Sequence, residues 1–123
     1  MPTPITFGKL LKQHRAKTGQ SLREFCVRNS IQPATWSRLE RGLMQAPGDR
    51  LVAAYAAALE LPEESDEWQE LFDHAAISRG EMPKDLLNDE EVLDKLPVLF
   101  RTIRAGRANG ADLDKLIKSA RKC

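Results

Sequence analysis

QSLREFCVRNSIQPATWSRLERG, residues Gln20 to Gly42, reads as two short helices joined by a tight turn. Ser21 can N-cap the first, and Glu24 three positions on completes a capping box. Leu22, Phe25 and Cys26 give that helix one apolar edge, and Asn29-Ser30 breaks it. Gln32-Pro33 starts the second helix, with proline at the first helical position, where its missing N–H costs nothing. At about 100° per residue, Trp36 and Leu39 share one side with Glu40 at their margin, while Ala34, Ser37, Arg38 and Arg41 point the other way. Small side chains let a helix approach a surface closely, and arginine neutralises phosphate or grips guanine with two bonds. Taken alone, the same face could be a solvated one.

Charge separates those readings. The 123-residue chain carries a net charge of only +1, but unevenly. Residues 1–50 hold nine Lys/Arg against three Asp/Glu, residues 51–94 two against thirteen, and residues 95–123 eight against two. A basic block coinciding with the two-helix stretch is the electrostatic footprint of a DNA binder. The length suits one small domain with an appendage, and its modest core would gain from oligomerisation. Cys26 and Cys123 are far apart in sequence and make no disulfide framework, which fits a reducing compartment. The opening MPTPITF has neither a basic region nor a long apolar run, so no signal peptide or membrane span is expected, and a cytoplasmic location is.

Upstream, Thr6 is a candidate N-cap, and Phe7, Leu10, Leu11 and His14 recur at the spacing of a half-buried helix. Thr18-Gly19 ends that helix. Arg15 and Glu40 each sit at the edge of an apolar face, where charges are tolerable mainly when paired, so an Arg15–Glu40 ion pair tying the first helix to the third is expected. Downstream, Pro47-Gly48 marks a turn. A fourth helix from about Asp49 to Leu59 would face inward through Leu51, Val52, Tyr55, Ala56 and Leu59. A fifth, from Glu64 or Asp66 to Ser78, would do so through Trp68, Leu71, Phe72 and Ala75.

From Thr6 to Ser78 the order and landmarks resemble the DNA-binding domain of the phage repressor and Cro family, also called the xenobiotic-response-element type. Those landmarks are Leu11 and Arg15, Gly19-Gln20-Ser21, Trp36-Ser37-Arg38-Leu39-Glu40-Arg41-Gly42, Pro47, and the Ala56–Leu59 run before Leu61. The resemblance implies an all-α fold: a five-helix repressor-like helix-turn-helix domain over 1–80, with a helical C-terminal extension over 81–123. It also implies the Arg15–Glu40 pair. Leu22 stands where the family often has a phosphate-bracing glutamine, leaving Arg23 and the helix N-terminal N–H groups as substitutes. Ser30 stands where glycine is usual, so Ser30 or Asn29 would take a left-handed conformation. The loop after Gly42 is one residue longer than is common.

In this family the third helix enters the major groove with its early residues toward base edges. Carried onto this chain, the base-facing positions are Gln32, Pro33, Ala34, Ser37 and Arg38, with Arg38 the best candidate for direct readout. Arg41, Arg23, Lys17 and the Gly42–Leu43 backbone fall to phosphates, which position without specifying. One domain covers a short half-site, so a homodimer on a palindromic operator is expected.

Met82-Pro83-Lys84 reads as a linker, followed by a helix from Asn88 carrying Val92, Leu93 and Leu96 and cut by Pro97. Val98, Leu99, Phe100 and Ile103 make a further apolar patch, and Gly106–Gly110 a loop. A last helix, capped by Asn109 with Asp112, shows Leu113, Leu116, Ile117 and Ala120 at helical spacing. Such pieces cannot bury their stripes alone. They could fold back on the first domain, dock another protein, or dimerise, the last through Val92, Leu96, Leu99, Phe100, Ile103, Leu113, Leu116 and Ile117. The Pro-Lys-x-Leu and Arg-Thr-Ile-Arg segments faintly resemble stress-response repressors cleaved by a partner metallopeptidase. The acidic block is most simply a solvated outer face.

Catalytic chemistry is not in evidence. His14, His74, Cys26 and Cys123 lack metal-ligand spacing, and there is no phosphate loop and no Ser, His and Asp set with recognisable context. No enzyme, metal or cofactor is expected. Three functions remain: a homodimeric repressor that reads double-stranded DNA, an antitoxin whose domain autoregulates its operon while the extension binds a toxin, or a protein-interaction module that uses this fold without DNA.

Overall fold

The computed structural model describes residues 6–108. Its first helix starts where the Thr6 hydroxyl accepts the Lys9 N–H at 3.2 Å. That helix, α1 (Phe7–Lys17), buries Phe7, Leu10, Leu11 and His14. The Ser21 hydroxyl caps α2 (Leu22–Arg28) by accepting the Glu24 N–H at 3.2 Å, and α2 buries Phe25 and Cys26. Pro33 opens α3 (Pro33–Glu40), which buries Trp36 and Leu39. Next come α4 (Asp49–Ala58) and α5 (Asp66–Ser78), the latter capped by Ser65. Two further helices follow, and the described residues contain no strand, so the fold is all-α.

Trp36 is the centre of the core. It is fully buried, with its ring centroid 4.8 Å from that of Phe25 and 4.9 Å from that of Tyr55, the second pair edge-to-face. Burying an indole removes a large apolar surface from water, and the tilted ring pairs add roughly 1 kcal/mol each. Leu11, Leu39, Val52 and Leu71 fill in around it, one each from α1, α3, α4 and α5. Trp68 and Phe72 stack at 4.4 Å on the rim of this core, partly buried. Leu51, expected on the inner side of α4, is instead 46% exposed. The stripe of Val52, Tyr55, Ala56 and Leu59 is centred about 90° around the helix from it.

Helix ends are closed by one device repeated. After α3, Leu43 N–H bonds Arg38 C=O at 2.9 Å and Gly42 N–H bonds Leu39 C=O at 3.1 Å, with Gly42 at φ +72°. This is a Schellman turn, which needs a left-handed residue. After α2 the same pair of bonds forms around Ser30 at φ +56°, so of Asn29 and Ser30 it is the serine that turns left-handed. Asn29 caps instead, donating its side-chain amide to Phe25 C=O at 2.9 Å.

The chain divides into two units, Met1–Pro83 and Lys84–Cys123. In the second, α6 (Lys84–Leu87) makes a single turn beginning at the end of the expected linker. Asp89 then caps α7 (Glu90–Ala108), accepting from Glu91 and Val92 N–H at 3.0 and 3.2 Å. Here the sequence expectation is corrected twice. Pro97 does not cut the helix, and residues 106–108 continue it instead of forming a loop. Proline removes one hydrogen bond and crowds the carbonyl four residues back, but Val92, Leu96 and Ile103 lie within about 40° of one another around the axis, on both sides of Pro97. A continuous apolar stripe favours one helix over two. The last helix expected, with Leu113, Leu116 and Ile117, lies outside the described residues.

Candidate nucleic-acid interface

How α3 is rotated decides which side chains it presents, and Glu40 sets that rotation. Arg15 on α1 grips the Glu40 carboxylate with both arms, Nε to Oε2 at 2.6 Å and Nη2 to Oε1 at 3.0 Å. Trp36 Nε1 donates to the same Oε2 at 2.5 Å. The remaining Arg15 nitrogen, Nη1, donates to Gln20 C=O at 3.0 Å, just ahead of α2. One guanidinium therefore ties α1, the entry to α2 and the end of α3. Both partners are largely shielded, with side-chain exposures of 13% and 6%, so the pair is held in a desolvated setting. The hydrogen bonds that Arg15 donates to Glu40 raise its pKa against the lowering effect of burial.

With Trp36 and Leu39 turned in, Gln32, Pro33, Ala34, Arg38 and Arg41 are exposed and Ser37 is half-buried. Arg38 has no side-chain hydrogen bond or ion pair among the described residues, whereas Arg41 Nε reaches back to Ser37 C=O at 3.3 Å. Gly42 and Leu43 follow in the Schellman turn, both exposed. Arg23 on α2 and Lys17 at the end of α1 are exposed too, and Arg23 lines a shallow hollow with Gln20, Glu24, Val27 and Arg28. Val92, Leu96 and Ile103 of the second unit are half-buried, and Leu99 and Phe100 are exposed.

Several residues that shape this surface escaped the sequence reading. Gly8 is one: a Cβ there would lie 2.1 Å from Leu39 C=O, so α1 and the end of α3 touch backbone to backbone. A glycine inside a helix, where it costs stability, was the available signal. The loop after α3 is pinned by α5: Ser78 Oγ accepts the Ala46 N–H at 2.9 Å. Arg79 bonds Pro47 C=O, Asp49 and Glu81. Glu81 is a near neighbour, but nothing local in the sequence marks the pairings with Ala46, Pro47 and Asp49. Thr35, half-buried on α3, bonds Gln32 Oε1 at 3.2 Å.

His14 is buried between α1 and the rest of the core, and its Nε2 has no hydrogen-bond partner among the described residues. Desolvation, then Lys17, holds its pKa below the ordinary value, against the pull of Glu70 and Glu67. Burial likewise raises the Cys26 thiol. Among the described residues no group of three His, Cys, Asp or Glu could hold a metal ion, and no helix is long and apolar enough to cross a membrane.

A family model described as a helix-turn-helix domain matches residues 6–68, just over half of the chain. No curated protein and no solved structure matches it.

Proposed function

The chain belongs to the helix-turn-helix domain family, and on that premise we propose that it is a sequence-specific homodimeric transcriptional repressor of the phage repressor and Cro type. The domain itself makes DNA the partner and transcriptional regulation the role. The finer reading is that α3 enters the major groove. One observation carries it: Trp36 and Leu39 are fully buried and locked through Glu40, while Arg38 stands exposed with no side-chain partner among the described residues. An uncommitted guanidinium beside Ala34 and Ser37 suits a guanine edge. Arg41, Arg23, Lys17 and the Gly42–Leu43 backbone neutralise phosphate around it. The location is cytoplasmic, and no catalysis is involved.

The test is selection of a bound duplex from a random pool, then titration of single-base variants of that duplex. Arg38→Ala should cost about 1–3 kcal/mol and relax preference at one base pair. Unchanged affinity and unchanged base preference in Arg38→Ala would overturn this orientation of α3.

For the dimer, the support lies on α7, where Leu93, Leu99 and Phe100 are exposed close to the half-buried Val92, Leu96 and Ile103. A second copy would cover that face. The same face suits a foreign protein, which keeps the antitoxin reading in view: a chain that stays monomeric at micromolar concentration in light scattering would favour a toxin there.

A further inference from the structure

Gln32 occupies the N-cap position of α3, yet its side chain does not cap the helix. It bonds instead to Thr35, whose hydroxyl donates to Gln32 Oε1 at 3.2 Å. We infer that Thr35 is a positioning residue for DNA recognition, fixing the Gln32 amide so that it reads an adenine. The inference rests on the reading of α3 as the helix in the groove, and it adds a second base-reading group beside Arg38.

The argument is one of hydrogen-bond inventory. A glutamine amide has a carbonyl oxygen with two lone pairs and an NH2 with two protons, and a free amide can turn end for end. The Thr35 hydroxyl holds the oxygen end on the Thr35 side. One lone pair on Oε1 and the NH2 group are left to face outward. A side-by-side acceptor and donor is the pattern that pairs with N6 and N7 of adenine. Gln32 is exposed and its amide has no further hydrogen bond among the described residues, and Thr35 is half-buried, so its own position is constrained. Pro33 lies between them in sequence and fixes the backbone entering α3. An anchored amide also loses less side-chain entropy on binding than a free one.

Base preference is the readout, because a purely structural threonine would alter stability and affinity for all sequences alike. The full chain is titrated against the selected duplex and its single-base variants, comparing wild type with Gln32→Ala, Thr35→Val, Thr35→Ser and Arg38→Ala. Circular dichroism of each variant confirms the fold. Gln32→Ala should lose about tenfold discrimination at one A·T pair. Thr35→Val, which keeps the shape and deletes the hydroxyl, should relax preference at that same pair and no other. Thr35→Ser should retain it. The inference is overturned if Thr35→Val keeps full preference there, or if Gln32→Ala weakens every duplex equally. If Arg38→Ala also preserves its base preference, the reading of α3 itself fails and takes this inference with it. If Arg38→Ala relaxes one pair while Thr35→Val relaxes none, only the inference fails.

Discussion

Single atoms decide two positions. At Gly8 there is no room for a methyl group, because the Cβ would sit 2.1 Å from the backbone oxygen of Leu39. Since the neighbour is backbone, relief requires moving α1 away from α3. Gly8→Ala should therefore cost roughly 3 kcal/mol, the upper part of the range for overpacking, read as a lower urea midpoint with unchanged m-value. Ser30 presents the opposite case. It sits at φ +56°, where a Cβ is strained and glycine is not. Ser30→Gly relieves that strain but adds unfolded-chain entropy, so a net gain of about 0.5 kcal/mol is expected from the same measurement. Both residues are visible in the sequence as departures from local preference. Only the packing says that the glycine at position 8 is needed; the family resemblance already marked a glycine as missing at Ser30 or Asn29, and the backbone assigns the left-handed conformation to Ser30.

At the scale of elements, the rotation of α3 and the continuity of α7 are what matter. Glu40 receives Arg15 twice and Trp36 once, so Glu40→Ala leaves a shielded guanidinium and an indole N–H without their partner. Such a break should cost about 3 kcal/mol, seen as a fall in the thermal midpoint and, at temperatures where the protein remains folded, as weaker binding to every duplex. Arg38→Ala should leave that midpoint unchanged, because the side chain is exposed. In α7, replacing Pro97 restores a hydrogen bond and removes a crowded ring. Pro97→Ala should raise helical ellipticity and stabilise that helix by roughly 1–3 kcal/mol. The starts of the first three helices were legible, because caps act within one turn: Thr6, Ser21 and the Gln32-Pro33 entry are where they begin, whereas the Ser65 cap of α5 was not singled out. The expected break at Pro97 was wrong for a related reason. A local rule about proline ignores the apolar stripe that runs past it.

For the whole molecule, pH and salt probe different faces. His14 is neutral inside, with its folded pKa held below the ordinary 6.5 by desolvation. The unfolded chain takes up a proton more readily, so stability is fully present above about pH 6.5 and is lost as pH falls through the folded value. The urea midpoint should drop between pH 7 and pH 5, and His14→Leu should flatten that drop. If His14→Leu reproduces the wild-type slope, other groups control it. Salt reports the outer surface. Removing Lys17 or Arg23 should weaken all duplexes alike and reduce the slope of log affinity against log salt by about one.

From the chain alone came the helices of the first unit, the buried identities of Trp36 and Leu39, the basic footprint and the pairing expected of Arg15 with Glu40. Helical periodicity, caps and charge are properties of near neighbours, and they survive without knowledge of what packs where. Only the tertiary structure decided the contact of Gly8 with Leu39, the anchoring of the loop after α3 by Ser78 and Arg79, the exposure of Leu51, and the bond between Thr35 and Gln32. The first two depend on atoms brought together from thirty or more residues apart in sequence, and the last on which of several rotamers a pair of short polar side chains adopts. No residue spacing encodes a close approach of two backbones. Packing density does, because a filled core leaves one distance between α1 and α3.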